Sequence, residues 1–498
     1  MLNNALANIL GKFWGILSNF LFLPLYIKYL GFENYSIIAF TLIITSIMSL
    51  LDVGLTSTLS RELASDQNSK REKFAIFNTL ETLYFFVVII CITIIFLSSN
   101  YISYNWINLS HVDYSTTSYL LKIVSFGIGF EIIFRFYLGG LLGLEKQVLA
   151  NKFIVAWGIL RNGLVIFPIY FFKSLELFFL WQTFSVIIFV ILIRFTLFKF
   201  LSEKNTTYNL LKIDINILKN NFSFASSMFL IAFVAAINTQ LDRIFLSKLL
   251  PLETLGFYTI AYSVASIIQV FVQSLNSANL PRITSLVTSN NDNKAVEIFD
   301  LFLKIIIIFI ISFGSIMILY GEEIIFVWTN NLELASKTGI YIPYIIFGIS
   351  AVALQGLFYN IAIANKFMTY NNIISTTSLF FTFPIYYFMI KNYGAIGAGL
   401  SFAITQSIIL IIYSFLINEK FIKKNLSAYL AILLKPILFS IFFHYLTYNA
   451  SLILNSRLFI LFYILMVFII ILIFNILIFF SFKKIKSLVI NVNKGLTK

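Results

Sequence analysis

Charged side chains occur within long apolar stretches of this sequence, although an ionisable group near the centre of a bilayer costs about 2.5–3.5 kcal/mol even on insertion scales. Glu131 and Arg135 are four residues apart, so they can form an ion pair on one face of a helix. Arg161 has no opposite charge nearby in the sequence and is the strongest single candidate for an anion contact. Further charges of this kind are Asp52, Asp242 and Arg243.

Each of these charges also has a purely structural interpretation. A Glu131–Arg135 pair could serve only to orient its helix. Asp242 and Arg243 could extend their side chains to the membrane interface. The residue types alone therefore define candidates for binding. The packing of the helices that carry them determines whether each charge binds a ligand or only supports the structure.

Polar residues recur at helical spacing in three of the apolar stretches, so each set lies on one helix face. The sets are Asn8, Lys12, Gly15 and Asn19; Thr45, Ser49, Asp52, Thr56 and Ser60; and Tyr262, Ser266, Gln269, Gln273 and Asn276. Such faces indicate either hydrogen bonding between packed helices or the wall of a shared polar cavity. Pro24 removes a backbone hydrogen bond in the first stretch and predicts a kink or hinge there.

No motif for catalysis or for a metal or cofactor occurs in the sequence. The two histidines, His111 and His444, are far apart, and there is no HExxH, no CxxC and no Gly-rich phosphate loop. The single Cys91 excludes a disulfide framework within the chain. We therefore expect neither an enzyme nor a cofactor.

The composition places the chain in lipid. Of its 498 residues, 60% are hydrophobic and only 11% are charged, whereas a soluble domain has roughly 25% charged residues. The net charge of +14 is spread over many short loops, so it predicts membrane topology and no nucleic-acid binding. The first apolar stretch is long enough to span a bilayer and does not have the pattern of a cleaved leader.

Stretches of about 20 apolar residues predict an all-α polytopic bundle of fourteen spans. The spans are expected near 6–30, 36–60, 74–98, 117–143, 149–172, 175–198, 220–247, 255–280, 297–320, 338–364, 370–390, 395–417, 430–449 and 458–481. Twelve spans are the alternative, because two pairs have very short connections. With both termini in the cytoplasm, most of the 35 Lys and Arg residues fall inside, and each outside connection carries one.

A weak internal repeat indicates two similar halves. Leu30-Gly31-Phe32-Glu33 after the first span resembles Leu250-Pro251-Leu252-Glu253 after the seventh, and Leu59-Ser60-Arg61 resembles Leu280-Pro281-Arg282. An even number of spans separates the copies, so the halves keep one orientation. We expect a six-helix lobe at 1–200, a cytoplasmic linker at 201–219, a second six-helix lobe at 220–418 around a central cavity, and two further helices with a basic tail at 419–498.

Several segments resemble the Wzx-type O-antigen and polysaccharide flippases of the MATE-like superfamily. They are Tyr29-Leu30-Gly31-Phe32-Glu33-Asn34-Tyr35, Leu51-Asp52-Val53-Gly54-Leu55, Gly139-Gly140-Leu141-Leu142-Gly143, Phe179-Leu180-Trp181-Gln182, Asp242-Arg243, Pro281-Arg282, Val327-Trp328-Thr329 and Gly394-Ala395-Ile396-Gly397-Ala398. Each segment is weakly specific alone, but they occur in the order that the family shows. Residues beyond about 425 contribute little.

The resemblance implies translocation of undecaprenyl-pyrophosphate-linked sugar units across the bacterial inner membrane by alternating access. It implies that Lys12, Arg135 and Arg161 attract the diphosphate, and that Gln269, Gln273 and Asn276 meet sugar hydroxyls. Glu131 and Asp52 are the expected carriers of H⁺ or Na⁺. Pro24, Arg61, Asp242, Arg243 and Arg282 are expected to gate or support the path. A polysaccharide polymerase and a chain-length regulator are the implied protein partners.

Other functions predict different sequence features. A MATE-type cation exporter usually has an acidic group in its first helix, but here that span has Lys12 and no carboxylate before Glu33. An O-unit polymerase is expected to have a large outer loop, and the outer loops here are short. A scaffold role does not account for the charges within spans.

Overall fold

The chain is helical, as expected in lipid, where backbone N–H and C=O groups must bond one another because no water is present. The structure is a computed structural model that describes Trp14, Ser18 and residues 20–52, 54–202, 213–451 and 456–480. Within these residues the only isolated β-bridge pairs Asn108 with Pro251. Lys12, residues 203–212 of the predicted linker and the basic tail from 481 lie outside the described residues.

The chain divides into two compact units, Met1–Gly256 and Phe257–Lys498. The first unit contains α1 (Phe20–Leu30), α2 (Phe32–Met48), α3 (Leu55–Ala64), α4 (Lys70–Tyr101), α5 (Tyr114–Gly143), α6 (Gln147–Gly158), α7 (Ile166–Phe172), α8 (Leu175–Leu201) and α9 (Ile215–Leu249). Three tighter or wider helical turns lie between them, at Ser49–Asp52, Ile102–Trp106 and Ile159–Gly163.

The second unit begins within α10 (Leu252–Thr288). It continues with α11 (Asp292–Leu319), α12 (Gly321–Thr329), α13 (Leu332–Gly339), α14 (Ile342–Ala364), α15 (Met368–Ile417), α16 (Leu426–Ser451) and α17 (Arg457–Phe479). Ile464, Val467 and Ile471 of α17 pack against Ile316 and Tyr320 at the end of α11. The last two helices are therefore integrated into this unit's core.

Ten helical stretches within the described ranges are long and apolar enough to cross a membrane. This confirms the prediction of an all-α polytopic membrane protein. One stretch, Ile373–Ile422, is broken at Gly394, whose φ of 60° and ψ of −142° are not helical. The spans predicted at 370–390 and 395–417 lie on either side of that break. The count of fourteen spans and the boundaries of the two lobes stay predictions.

The glycines of the Gly139–Gly143 segment allow α5 to approach α3 closely. A Cβ added to Gly143 would lie 2.4 Å from the carbonyl oxygen of Ser60, and one added to Gly139 would lie 2.5 Å from Cγ2 of Thr56. Small residues are the usual means by which membrane helices bring their backbones together. The glycines of this segment therefore fix α5 directly against α3.

We expect Gly143→Ala to destabilise the first unit by about 1–3 kcal/mol, because the added methyl group meets the Ser60 backbone, which cannot rotate away. Gly314→Ala on α11 is the matched control, since its Cβ would meet only side-chain atoms, Cγ2 of Ile346 at 3.3 Å and Cδ1 of Ile268 at 4.0 Å. Thermal unfolding of the detergent-solubilised variants measures the difference. Equal stability of the two variants would contradict the close approach.

Candidate functional site

An ion cluster joins α5 to the wide turn between α6 and α7. The two oxygens of the Glu131 carboxylate bind different guanidinium groups: Oε1 lies 2.7 Å from Nη2 of Arg135, and Oε2 lies 3.1 Å from Nη1 of Arg161. The predicted Glu131–Arg135 pair is therefore present. Arg161, which has no charged neighbour in the sequence, shares the same carboxylate.

The position of Arg161 depends on an interruption in its helix. Residues Ile159–Gly163 form a π-turn, the kind of local widening that often marks a functional site. Gln182 of α8 makes two hydrogen bonds to Arg161. Its Oε1 accepts from Arg161 Nε at 2.5 Å, and its Nε2 donates to the Arg161 carbonyl at 3.1 Å. The guanidinium also lies 4.7 Å from the ring of Trp157, a cation–π distance.

The cluster has an excess of positive charge and an open side. Two guanidinium groups, which stay protonated in proteins, face one carboxylate, so the three side chains carry about +1. The Arg135 side chain is 50% exposed, against 25% for Arg161 and 10% for Glu131. An anion can therefore reach Arg135 first, while Arg161 is held in place behind it.

Asp52, the other predicted coupling carboxylate, accepts hydrogen bonds in a neighbouring network and is close enough to Arg135 for the two charges to interact. Its Oδ1 accepts from the hydroxyl of Tyr84 at 2.7 Å and from the hydroxyl of Thr56 at 2.5 Å. The Tyr84 oxygen is also 3.3 Å from the carbonyl of Ile132, the residue after Glu131. The two carboxylates are thus linked through one tyrosine and the backbone of α5.

A second buried ion pair was missed by sequence reasoning. Glu81 of α4 is completely buried, and its carboxylate accepts from Arg194 Nε at 2.7 Å and from the Tyr137 hydroxyl at 2.6 Å. Neither Glu81 nor Arg194 is among the candidates that the sequence indicates. The two residues are 113 positions apart, so no local spacing connects them.

The predicted gating or supporting residues lie on α1, α3, α9 and α10. Arg61 bonds both Glu62 at 2.5 Å and Asn221 of α9 at 2.6 Å, so it links α3 to α9. Asp242 is buried, with its carboxylate accepting from the backbone N–H of Arg243. Pro24 lies within α1, and Arg282 is exposed.

The predicted sugar-binding residues lie on α10 in the second unit. Gln269 and Asn276 are half-buried and Gln273 is exposed. The carbonyl of Asn276 accepts from Asn360 of α14 at 2.8 Å. Among the described histidines, cysteine and acidic residues, no group has the arrangement of a metal site.

Comparison with protein families decides the relationship. A family model described as polysaccharide biosynthesis protein matches residues 1–287, which is more than half of the chain. The chain belongs to this family. A second model, MatE, matches residues 224–388. The protein is therefore a transporter of the MOP superfamily and not an enzyme.

Individual proteins are similar to this chain in sequence or in fold. A Shigella flexneri protein named "Putative O-antigen transporter" is 20% identical over 380 residues, which cover 75% of this chain and 87% of that protein. A solved structure of the lipid II flippase MurJ, in an inward closed conformation, has a TM-score of 0.75 at 18% identity and covers 96% of this chain and 99% of that one. An inward-facing MATE family multidrug resistance transporter has a TM-score of 0.66 at 12% identity, with 82% and 94% covered.

Proposed function

We propose that this protein translocates undecaprenyl-pyrophosphate-linked oligosaccharide units, such as an O-antigen repeat, from the cytoplasmic to the outer leaflet of the bacterial inner membrane. Membership of the polysaccharide biosynthesis family supports the substrate class. The observation that carries the proposal is the cluster in which Glu131 bridges Arg135 and Arg161. Its excess positive charge suits a diphosphate.

The chemistry of the cluster fits a phosphorylated headgroup better than a cationic drug. Guanidinium groups present paired donors that match phosphate oxygens, and charge-assisted bonds of this kind are the strong ones. A half-exposed arginine within a span is costly against lipid, so its open side requires a hydrated path. The lipid tail of the substrate can remain in the bilayer while the headgroup follows that path.

The other parts of the proposal are predictions from the sequence. The protein has fourteen spans, two six-helix lobes that open alternately, and both termini in the cytoplasm. Lys12 joins the two arginines in attracting the diphosphate, and Gln269, Gln273 and Asn276 meet sugar hydroxyls. A polysaccharide polymerase and a chain-length regulator act on the product at the outer face.

Purified protein in sealed proteoliposomes tests the function directly. We expect it to move an undecaprenyl-pyrophosphate-linked saccharide between leaflets, measured by the access of an added lectin to the sugar. A cationic dye is the control substrate. Export of the dye without movement of the saccharide would contradict the proposal and support a MATE-type exporter instead. In cells, deletion is expected to leave the lipid-linked saccharide on the inner leaflet.

We also propose that transport is coupled to H⁺ or Na⁺ through Glu131, with Asp52 as the second carboxylate. A substrate diphosphate competes with the Glu131 carboxylate for the guanidinium groups of Arg135 and Arg161. Binding of the diphosphate to these arginines therefore releases the Glu131 carboxylate. A released carboxylate can take up a cation. Binding of substrate and of the coupling ion are linked in this way.

Glu131→Gln tests this coupling. The amide keeps the shape of the side chain but removes the charge that holds both arginines, so we expect tighter binding of the diphosphate and transport that no longer responds to an ion gradient. Saccharide movement is measured with and without imposed H⁺ and Na⁺ gradients. Asp52→Asn is the companion variant. If Glu131→Gln keeps the full gradient dependence, Glu131 is not the coupling group.

A further inference from the structure

The connection between α4 and α5 is bound firmly to the start of α2. The buried carboxylate of Glu33 accepts from three successive backbone N–H groups, those of Ser110, His111 and Val112, at 2.6–3.0 Å. Bonds between a carboxylate and backbone N–H groups are stronger than neutral ones. The connection is therefore fixed to α2 and is not a free loop.

The end of this connection gives it a second fixed point. Asp113 caps the N-terminus of α5 by accepting from the Thr116 N–H at 3.3 Å. Its hydrogen bond from the Ser115 hydroxyl lowers the pKa of the Asp113 carboxyl. The connection is thus held at both α2 and α5.

The same connection contacts the corner between α9 and α10 through a different set of bonds. Trp106 Nε1 donates to the Ser247 hydroxyl at 3.0 Å, and the Lys248 ammonium donates to the carbonyl of Asn105. The backbone N–H of Leu252 donates to the carbonyl of Asn108 at 2.9 Å, beside the bridge between Asn108 and Pro251. Apart from the Lys248 contact, these bonds are neutral, and such bonds contribute less than charged ones.

An apolar and tightly packed contact lies at this corner. Ile107, Leu252 and Leu255 are at most 2% exposed. A Cβ added to Gly256 would lie 2.3 Å from the hydroxyl oxygen of Ser36, which is itself completely buried on α2. The start of α10 therefore lies directly on α2, with no room for water between these atoms.

We propose that residues 105–113 and the corner at 247–256 form a latch that holds one end of the transport path shut. The latch is attached to α2 and α5 by bonds that persist, and to α9 and α10 by bonds that can exchange with water. In the predicted division α9 is the first helix of the second lobe, whereas the structure groups it with α1–α8 in one compact unit. Movement of α9 and the start of α10 away from α2 at this end must break the second set first. This inference goes beyond the proposed substrate, since it assigns the elements that close the path.

A reversible cross-link tests whether the latch must open. In a Cys91→Ala background, Asn108→Cys and Pro251→Cys replace two residues joined by a β-bridge, where strands lie about 4.8 Å apart and a disulfide can form. We expect oxidation to stop saccharide movement and a reductant to restore it. The matched pair Ser99→Cys and Ser118→Cys joins α4 to α5, where the two hydroxyl oxygens are 3.4 Å apart, and should leave transport intact. Full transport by the oxidised 108–251 pair would overturn the latch.

A labelling experiment tests the latch without any substrate. Ser36→Cys in the same background places a thiol beneath the corner, and a membrane-impermeant maleimide is added to either side of sealed vesicles. Trp106→Ala removes the bond to Ser247, so we expect the rate of labelling from one side to rise about tenfold, as loss of about one hydrogen bond and of a half-buried ring allows. An unchanged rate would overturn the latch, whatever the protein transports. If the unmodified protein moves no saccharide, the proposed function fails while this labelling still decides the latch.

Discussion

Arg161→Ala is expected to lower saccharide movement about a hundredfold while leaving membrane insertion unchanged. Removal of the guanidinium leaves one arginine and one carboxylate, so the net positive charge of the cluster disappears. A hydrogen bond to a charged group contributes about 1.5–3 kcal/mol, and a hundredfold change corresponds to about 2.7 kcal/mol. Initial rates in proteoliposomes, normalised to inserted protein, measure the effect.

Two further variants separate charge from shape in this prediction. Arg161→Ala combined with Glu131→Gln restores the excess positive charge through Arg135 alone, and we expect it to bind the diphosphate better than Arg161→Ala does. Lys337→Ala removes a cation from an exposed pair with Glu333 and should change nothing. Wild-type transport by Arg161→Ala would exclude the arginine from substrate binding.

Glu81→Ala is expected to lower the free energy of unfolding by about 3–5 kcal/mol, the usual cost of breaking a buried ion pair and leaving one charge uncompensated. The carboxylate is completely buried and binds Arg194 and Tyr137, so three helices lose a common contact. The fraction of monodisperse protein that survives heating in detergent measures the loss. We expect poorer folding, and not a change in substrate selectivity.

The double replacement of Glu81 and Arg194 by leucine is the control for this prediction. Because it leaves no unpaired charge, it should recover much of the stability that Glu81→Ala loses. Tyr137→Phe should cost only about 1 kcal/mol, since Arg194 still binds the carboxylate. A double variant less stable than Glu81→Ala would show that the pair itself contributes net stability.

Local features of the fold and site were predictable from the sequence. Apolar runs of span length predicted helices, and the break between 390 and 395 agrees with the non-helical Gly394. The spacing of four between Glu131 and Arg135 predicted their ion pair, because neighbours on one helix depend only on helical geometry.

Contacts between different helices were not predictable in the same way. Arg161 reaches Glu131 because α6 ends in a π-turn and because Gln182 of α8 lies where it can accept a hydrogen bond from the Arg161 guanidinium. The pairing of Glu81 with Arg194 depends on how α4 and α8 pack, which hydropathy does not encode. The predicted span at 175–198 includes Arg194, in agreement with α8, but the sequence does not indicate which residue compensates that charge. Only a buried charge in need of compensation would have indicated that it has a partner.

The glycine contact between α3 and α5 has a mechanical consequence. The two helices approach each other closely where glycines of α5 face Thr56 and the Ser60 backbone, so sliding or rolling of one helix past the other causes a steric collision. We therefore expect α3 and α5 to move together as one body. Thr56 of α3 donates to the Asp52 carboxylate and Glu131 is part of α5, so a displacement of these helices changes the surroundings of both carboxylates.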